Sequence, residues 1–149
     1  MLQNILKEIF RRDLGKLRQE IESYKNEDNI WKIDKAIKNP AGNLALHLVG
    51  NLNTYIGAAL GDHQYSRDRD AEFSLKNIPK AELLRMIDET IIVVDRSLDK
   101  ISEGQLEEDF PMLVFKEKTT TSYMLVHLVA HLGYHLGQVN YHRRLIETI

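Results

Sequence analysis

The chain has 149 residues, 43% of them apolar and 28% charged, with a formal net charge of −2 and no cysteine. That balance fits one globular domain spanning residues 1–149 and excludes a disordered or collagen-like chain. A near-neutral chain without a basic, aromatic-laced block is not built to bind a nucleic-acid backbone. A chain without cysteine has no disulfide, no thiolate nucleophile of its own and no cysteine-based zinc site.

Four segments repeat apolar residues at helical spacing. The first puts Leu2, Ile5, Leu6, Ile9, Phe10, Leu14, Leu17 and Ile21 on one stripe and ends near "YKNEDN". It carries charges throughout, so it does not read as a signal peptide. The second, "NLALHLVGNLNTYIGAAL", follows Pro40 and Gly42, with Asn43 as the expected N-cap and Gly61 just past its end. The third starts at Pro79, a good first helical residue, and runs through "AELLRMIDETIIVVDRSLDKI". Its "TIIVV" has strand composition, but the periodic flanks favour helix. A loop, "EGQLEEDFPMLVFKEKTTT", follows, with a short strand expected at "MLVFK". The fourth segment, "TSYMLVHLVAHLGYHLGQVNYHRRLIETI", runs almost to the last residue.

The fold class is therefore all-α, a four-helix bundle with long connections. No stretch reaches the roughly 18 apolar residues that span a bilayer, so no membrane partner is expected. The expected location is cytoplasmic.

A helical wheel of the fourth segment gathers Leu125, Leu128, Val129, Leu132, Leu136, Val139 and Ile146 on one face. The opposite side carries Val126, Ala130, Gly133 and Gly137 in place of charges. Two glycines inside a helix cost about 1 kcal/mol each relative to alanine, and close approach of another backbone offsets that. A helix buried on both sides is expected, with a homodimer as the favoured cause and a loop of the same chain as the alternative. Sedimentation at micromolar concentration is the check, and a monomer removes the first cause.

The same segment places His127, His131 and His135 four residues apart. His131 and His135 are one turn apart and about 40° around the axis, the arrangement by which a helix offers two imidazoles to one ion. His127 is eight residues from His135, about 12 Å along the axis, too far to join it on that ion. Its expected place is beside the ligands. A pair is not a site, and His47 in "LALHLVGN" is the candidate third ligand, on a stripe with Asn43, Asn51 and Thr54. That stripe reads equally as the polar lining of a cleft or as a solvated edge. By spacing alone the histidines read more readily as hydrogen-bonded core residues than as ligands. His63 and His142 are the other two in the chain.

"HLGYHLGQ" resembles the HxxxHxGQ signature of the DinB-like (YfiT-like) superfamily of metal-dependent enzymes, and "LALHLVGNL" is similar to the second-helix context of its third histidine. "RDRDAEF", residues 67–73, is similar to a loop in one branch of that family. The resemblance covers nearly the whole chain in helix order. It implies a four-helix bundle, a homodimer and a divalent metal, zinc or nickel, on His47, His131 and His135. It also implies a small-molecule reaction, transfer of a low-molecular-weight thiol such as bacillithiol to an electrophile, or a mycothiol-dependent isomerisation.

Three neutral imidazoles leave an ion its charge and an open position, the mark of catalytic sites. A thiol arriving as cosubstrate is then activated as thiolate. A metal-hydroxide hydrolase is the enzymatic alternative. A non-catalytic dimeric stress or scaffold protein is the alternative of a different class. Asn51 and Gln138, spaced four and three residues from His47 and His135, are candidates for orienting the ligands. Arg67 and Arg69 are candidates for a substrate carboxylate, or else pair with Asp68, Asp70 and Glu72. Trp31 is expected to cap the core or wall a pocket.

Overall fold

A computed structural model describes residues 1–148; Ile149, the last residue of the fourth expected segment, lies outside the described residues. Helix α1 is Leu2–Glu22, and its core stripe is narrower than the sequence suggests. Leu6, Phe10, Leu14, Leu17 and Ile21 are buried, whereas Leu2 and Ile5 face solvent. Asn26 then accepts from the Asp28 N–H and starts a 3-10 turn, Glu27–Trp31, unannounced by any apolar period. It delivers Ile30 and Trp31 to the core. Trp31 lies so close on Gly42 that a Cβ there would sit 2.5 Å from the indole. Glycine at 42 therefore serves close packing.

Helix α2, Ala41–Leu52, is buried at every position, which explains an apolar run with little amphipathic contrast. Pro40 is its N-cap. The expected cap, Asn43, lies inside the helix instead, where its amide donates to the carbonyls of Glu72 and Leu75. A buried asparagine finds stronger use pinning a distant segment than capping a terminus that proline already ends. The rod continues through a π-helical turn, Asn53–Ala58, and the short α3, Ala59–Gly61. It stops at Asp62, which takes the left-handed conformation (φ 53°) expected of a glycine. Gly61 is instead the last helical residue, pressed on Ser97.

Asp68 caps the short helix α4, Arg69–Ser74, through the Ala71 N–H. Helix α5, Lys80–Asp99, begins one residue after Pro79 and keeps "TIIVV" helical. A capping box between Ser102 and Gln105 starts α6, Glu103–Glu107. The expected strand at "MLVFK" does not form. Residues 108–120 stay irregular apart from an isolated bridge between Asp109 and Thr120. A single apolar run has no partner there to satisfy its backbone, and Pro111 lacks an N–H to offer.

Helix α7, Thr121–Ile146, starts on the Thr120 hydroxyl, which accepts from the Tyr123 N–H. Leu125, Leu128, Leu132 and Val139 are buried, with Val129, Leu136 and Ile146 partly so. Its other side is open within the chain. Val126, Tyr134 and Tyr141 are exposed, and nothing lies within 4 Å of where a Gly137 Cβ would stand. The loop of the same chain offered as the alternative cause of the two glycines is therefore absent at Gly137.

The described residues form helices and no strand. Helix α1 packs against α5 and α7, and α2 packs against the same two, so one apolar core is shared among them. Helices α2 and α7 run antiparallel. Leu44 near the start of α2 shares a groove with His135, Gln138 and His142, while the Tyr55 ring is 6.5 Å from that of Phe110, whose N–H donates to the Thr119 carbonyl just ahead of α7. Among the described residues no helix is long and apolar enough to cross a membrane.

Candidate metal centre

The antiparallel pairing of α2 and α7 brings His47 against His131 and His135. The His47 and His131 Nε2 atoms are 3.3 Å apart, and those of His131 and His135 are 3.1 Å apart. One nitrogen from each of the three lies within 4.8 Å of the other two. Tetrahedral zinc at about 2.0–2.1 Å from each nitrogen separates neighbouring ligand atoms by about 3.3 Å. The two spacings to His131 match that value.

Protons decide what such a cluster is for. His47 Nδ1 is 3.0 Å from Glu72 Oε1, and an ionised carboxylate only accepts, so His47 donates there and its Nε2 carries a lone pair. His135 Nδ1 likewise donates to Gln138 Oε1 at 2.7 Å, again baring Nε2. Lone pairs thus point at a common place from two helices. Burial and the neighbouring histidines push the His131 pKa down to about 4, and burial lowers that of His135, so the neutral, ligating forms dominate at neutral pH. These side chains fit a divalent cation.

Glu72 is the residue that sequence reading did not place at the centre. It is only 6% exposed and comes from α4, 25 positions after His47. Arg67 closes over it, Nε to Oε2 at 2.8 Å and Nη2 to Oε1 at 3.0 Å. Burial raises the Glu72 pKa, but hydrogen bonds from His47 and Arg67 outweigh it and leave the carboxyl below its ordinary value. The approach is possible because residue 50 is glycine: a Cβ there would be 1.8 Å from Glu72 Oε2. The only sequence signal was the "RDRDAEF" stretch, in which nothing marks Glu72 above its acidic neighbours.

Of the remaining candidates, Arg67 spends its guanidinium on Glu72 and lies over the Tyr55 ring at 5.7 Å. Arg69 is exposed at the start of α4. His127 is exposed, stacked 6.3 Å from His131 and edge-on to Phe115 at 4.9 Å. Asn51 is buried with its Oδ1 unpartnered. His142 belongs to the frame: it accepts from the Tyr24 hydroxyl at 2.6 Å and donates to the Lys32 carbonyl at 2.8 Å. His63 stacks on Tyr65. Trp31 is a core residue.

A family model described as "Protein of unknown function (DUF1572)" matches residues 3–148. The chain belongs to this family. The match takes in α1 through α7, and with them all three converging histidines and Glu72. A search of curated proteins finds no match to this DUF1572 member.

Proposed function

We propose that this DUF1572 protein is a metal-dependent enzyme with a DinB-like four-helix bundle. In this reading His47, His131 and His135 hold a divalent ion, zinc or nickel, and the reaction transfers a low-molecular-weight thiol to a small electrophilic substrate. The observation that carries the reading is the convergence of lone-pair nitrogens from α2 and α7, two of them oriented by partners on the opposite ring nitrogen.

An ion held there supplies a Lewis acid that lowers the pKa of a bound thiol. The chain itself has no cysteine, so the sulfur arrives on a cosubstrate. In the transfer a sulfur–carbon bond forms, the leaving group departs with its bonding pair, and the thiol proton passes to solvent. The protein's part is to hold and orient. Glu72 fixes the His47 ring, and Arg67 neutralises Glu72 beneath it. Phe73, 5.0 Å from the His47 ring, and Tyr134, 5.2 Å from that of His135, flank the ligands with apolar surface. A homodimer through the open side of α7 is part of the proposal, supported by the exposed Val126, Tyr134 and Tyr141 beside Gly137. So is a cytoplasmic location, where small thiols stay reduced.

Thiol consumption with an electrophile, followed on metal-loaded protein, is the test. Turnover is expected, falling to the uncatalysed rate in His131→Ala. Hydrolysis without thiol points to the hydrolase instead. A loaded protein that does neither reaction leaves the scaffold reading and removes the proposal.

A further inference from the structure

We infer that Asn51 is the positioning residue for His131, the one histidine of the three whose second ring nitrogen lacks a partner. The inference rests on the metal-centre reading above. His47 engages Glu72 and His135 engages Gln138, but His131 Nδ1 is buried without a hydrogen bond. A neutral imidazole whose Nε2 faces a cation carries its proton on Nδ1, and a buried N–H requires an acceptor.

The helix that carries His47 holds an acceptor that is itself without a donor. Asn51 is 8% exposed, and its Oδ1 is buried without a donor. It lies one turn after His47 in α2, and α2 and α7 run antiparallel. One turn onward in α2 is therefore level with the His127–His131 turn of α7. Thr54 Oγ1, three residues further along the same helical rod, is also buried and unpartnered. Three of the four such atoms among the described residues thus belong to His131 and to the helical rod that carries His47. The fourth, Asn29 Oδ1, belongs to the 3-10 turn. A small turn of the Asn51 amide, or one water between Asn51, Thr54 and His131, supplies the Nδ1 proton with its acceptor. Each ligand then has its own partner: a carboxylate for His47, an amide three residues on for His135, and an amide from the facing helix for His131. Asn51 fixes the tautomer and ring angle that keep the His131 lone pair on the cluster.

Zinc affinity of the full chain, by competition with a chromophoric chelator, is compared for the wild type, Asn51→Leu and Asn51→Asp. Long-range proton–nitrogen NMR of the zinc-loaded proteins reads the His131 Nδ1 proton. Asn51→Leu is expected to weaken zinc about 10–100-fold and to shift or lose that proton signal. Asn51→Asp keeps an acceptor of the same size and is expected to hold affinity within about threefold of wild type. Wild-type affinity in Asn51→Leu with an unmoved His131 signal overturns the assignment alone. Equal losses in both variants also overturn it, since packing alone would then explain them. A wild type that binds no zinc removes the metal reading and this assignment with it. Thermal unfolding of the chelator-treated proteins confirms that each variant folds, and Asn51→Ala replaces Asn51→Leu if the larger side chain prevents folding.

Discussion

Protein purified without a histidine tag is expected to carry about one divalent ion per chain, and His131→Ala to lose it, with affinity falling more than about 100-fold. His131 is the middle of the cluster, within 3.3 Å of both other ligand nitrogens, so its removal leaves an ion only two imidazoles. Elemental analysis and chelator competition read the result. An unchanged ion content in the variant would sink the site. Removing the ion with chelator exposes a linked effect on stability. The folded His131 pKa is near 4 against 6.5 unfolded, so between those values the unfolded chain binds more protons. Stability is therefore full above about pH 6.5 and is lost as pH falls toward 4. The half-buried ring limits the loss to about 1–3 kcal/mol. Urea midpoints of chelator-treated protein across that window check it, and His131→Gln should flatten the slope.

Glu72→Ala is expected to cost about 2–3 kcal/mol of stability, because it leaves the partly buried Arg67 guanidinium without its counter-ion. It is also expected to weaken the ion about 10–100-fold by freeing the His47 ring. The two losses have different causes and separate in the double variant Arg67→Met/Glu72→Leu. Replacing both charges with apolar side chains of similar volume is expected to restore most of the stability. The weak metal binding should persist, since His47 Nδ1 still lacks its carboxylate. Urea unfolding and chelator competition on the same preparations measure both. Wild-type ion affinity in Glu72→Ala would show that the carboxylate only balances Arg67.

The long helices were legible because their period is a local property. Leu6, Phe10, Leu14, Leu17 and Ile21 repeat at helical spacing whatever they pack against, and "TIIVV" stayed helical because its flanks kept that period. The strand expected at "MLVFK" failed for the opposite reason: a strand needs a partner, and partnership is not written in one segment. The short turns at Glu27–Trp31 and Arg69–Ser74 start from single side-chain caps on Asn26 and Asp68, too little sequence to announce a helix.

The candidate centre divides in the same way. Two imidazoles at i and i+4 on one helix follow from the sequence, because helical geometry alone aims them together. His47 was a candidate from its polar stripe, and the resemblance to a known signature strengthened it, but only the pairing of α2 with α7 brings its nitrogen to within 3.3 Å of His131. Glu72 belongs wholly to the tertiary structure. Its role depends on α4 folding back onto α2, on Gly50 leaving room, and on Arg67 closing behind it. Sequence determined which side chains were available and which helix faces they share. The packing of one helix on another decided which lone pairs meet and which protons hold them, since hydrogen bonds between segments depend on distances that no local period encodes.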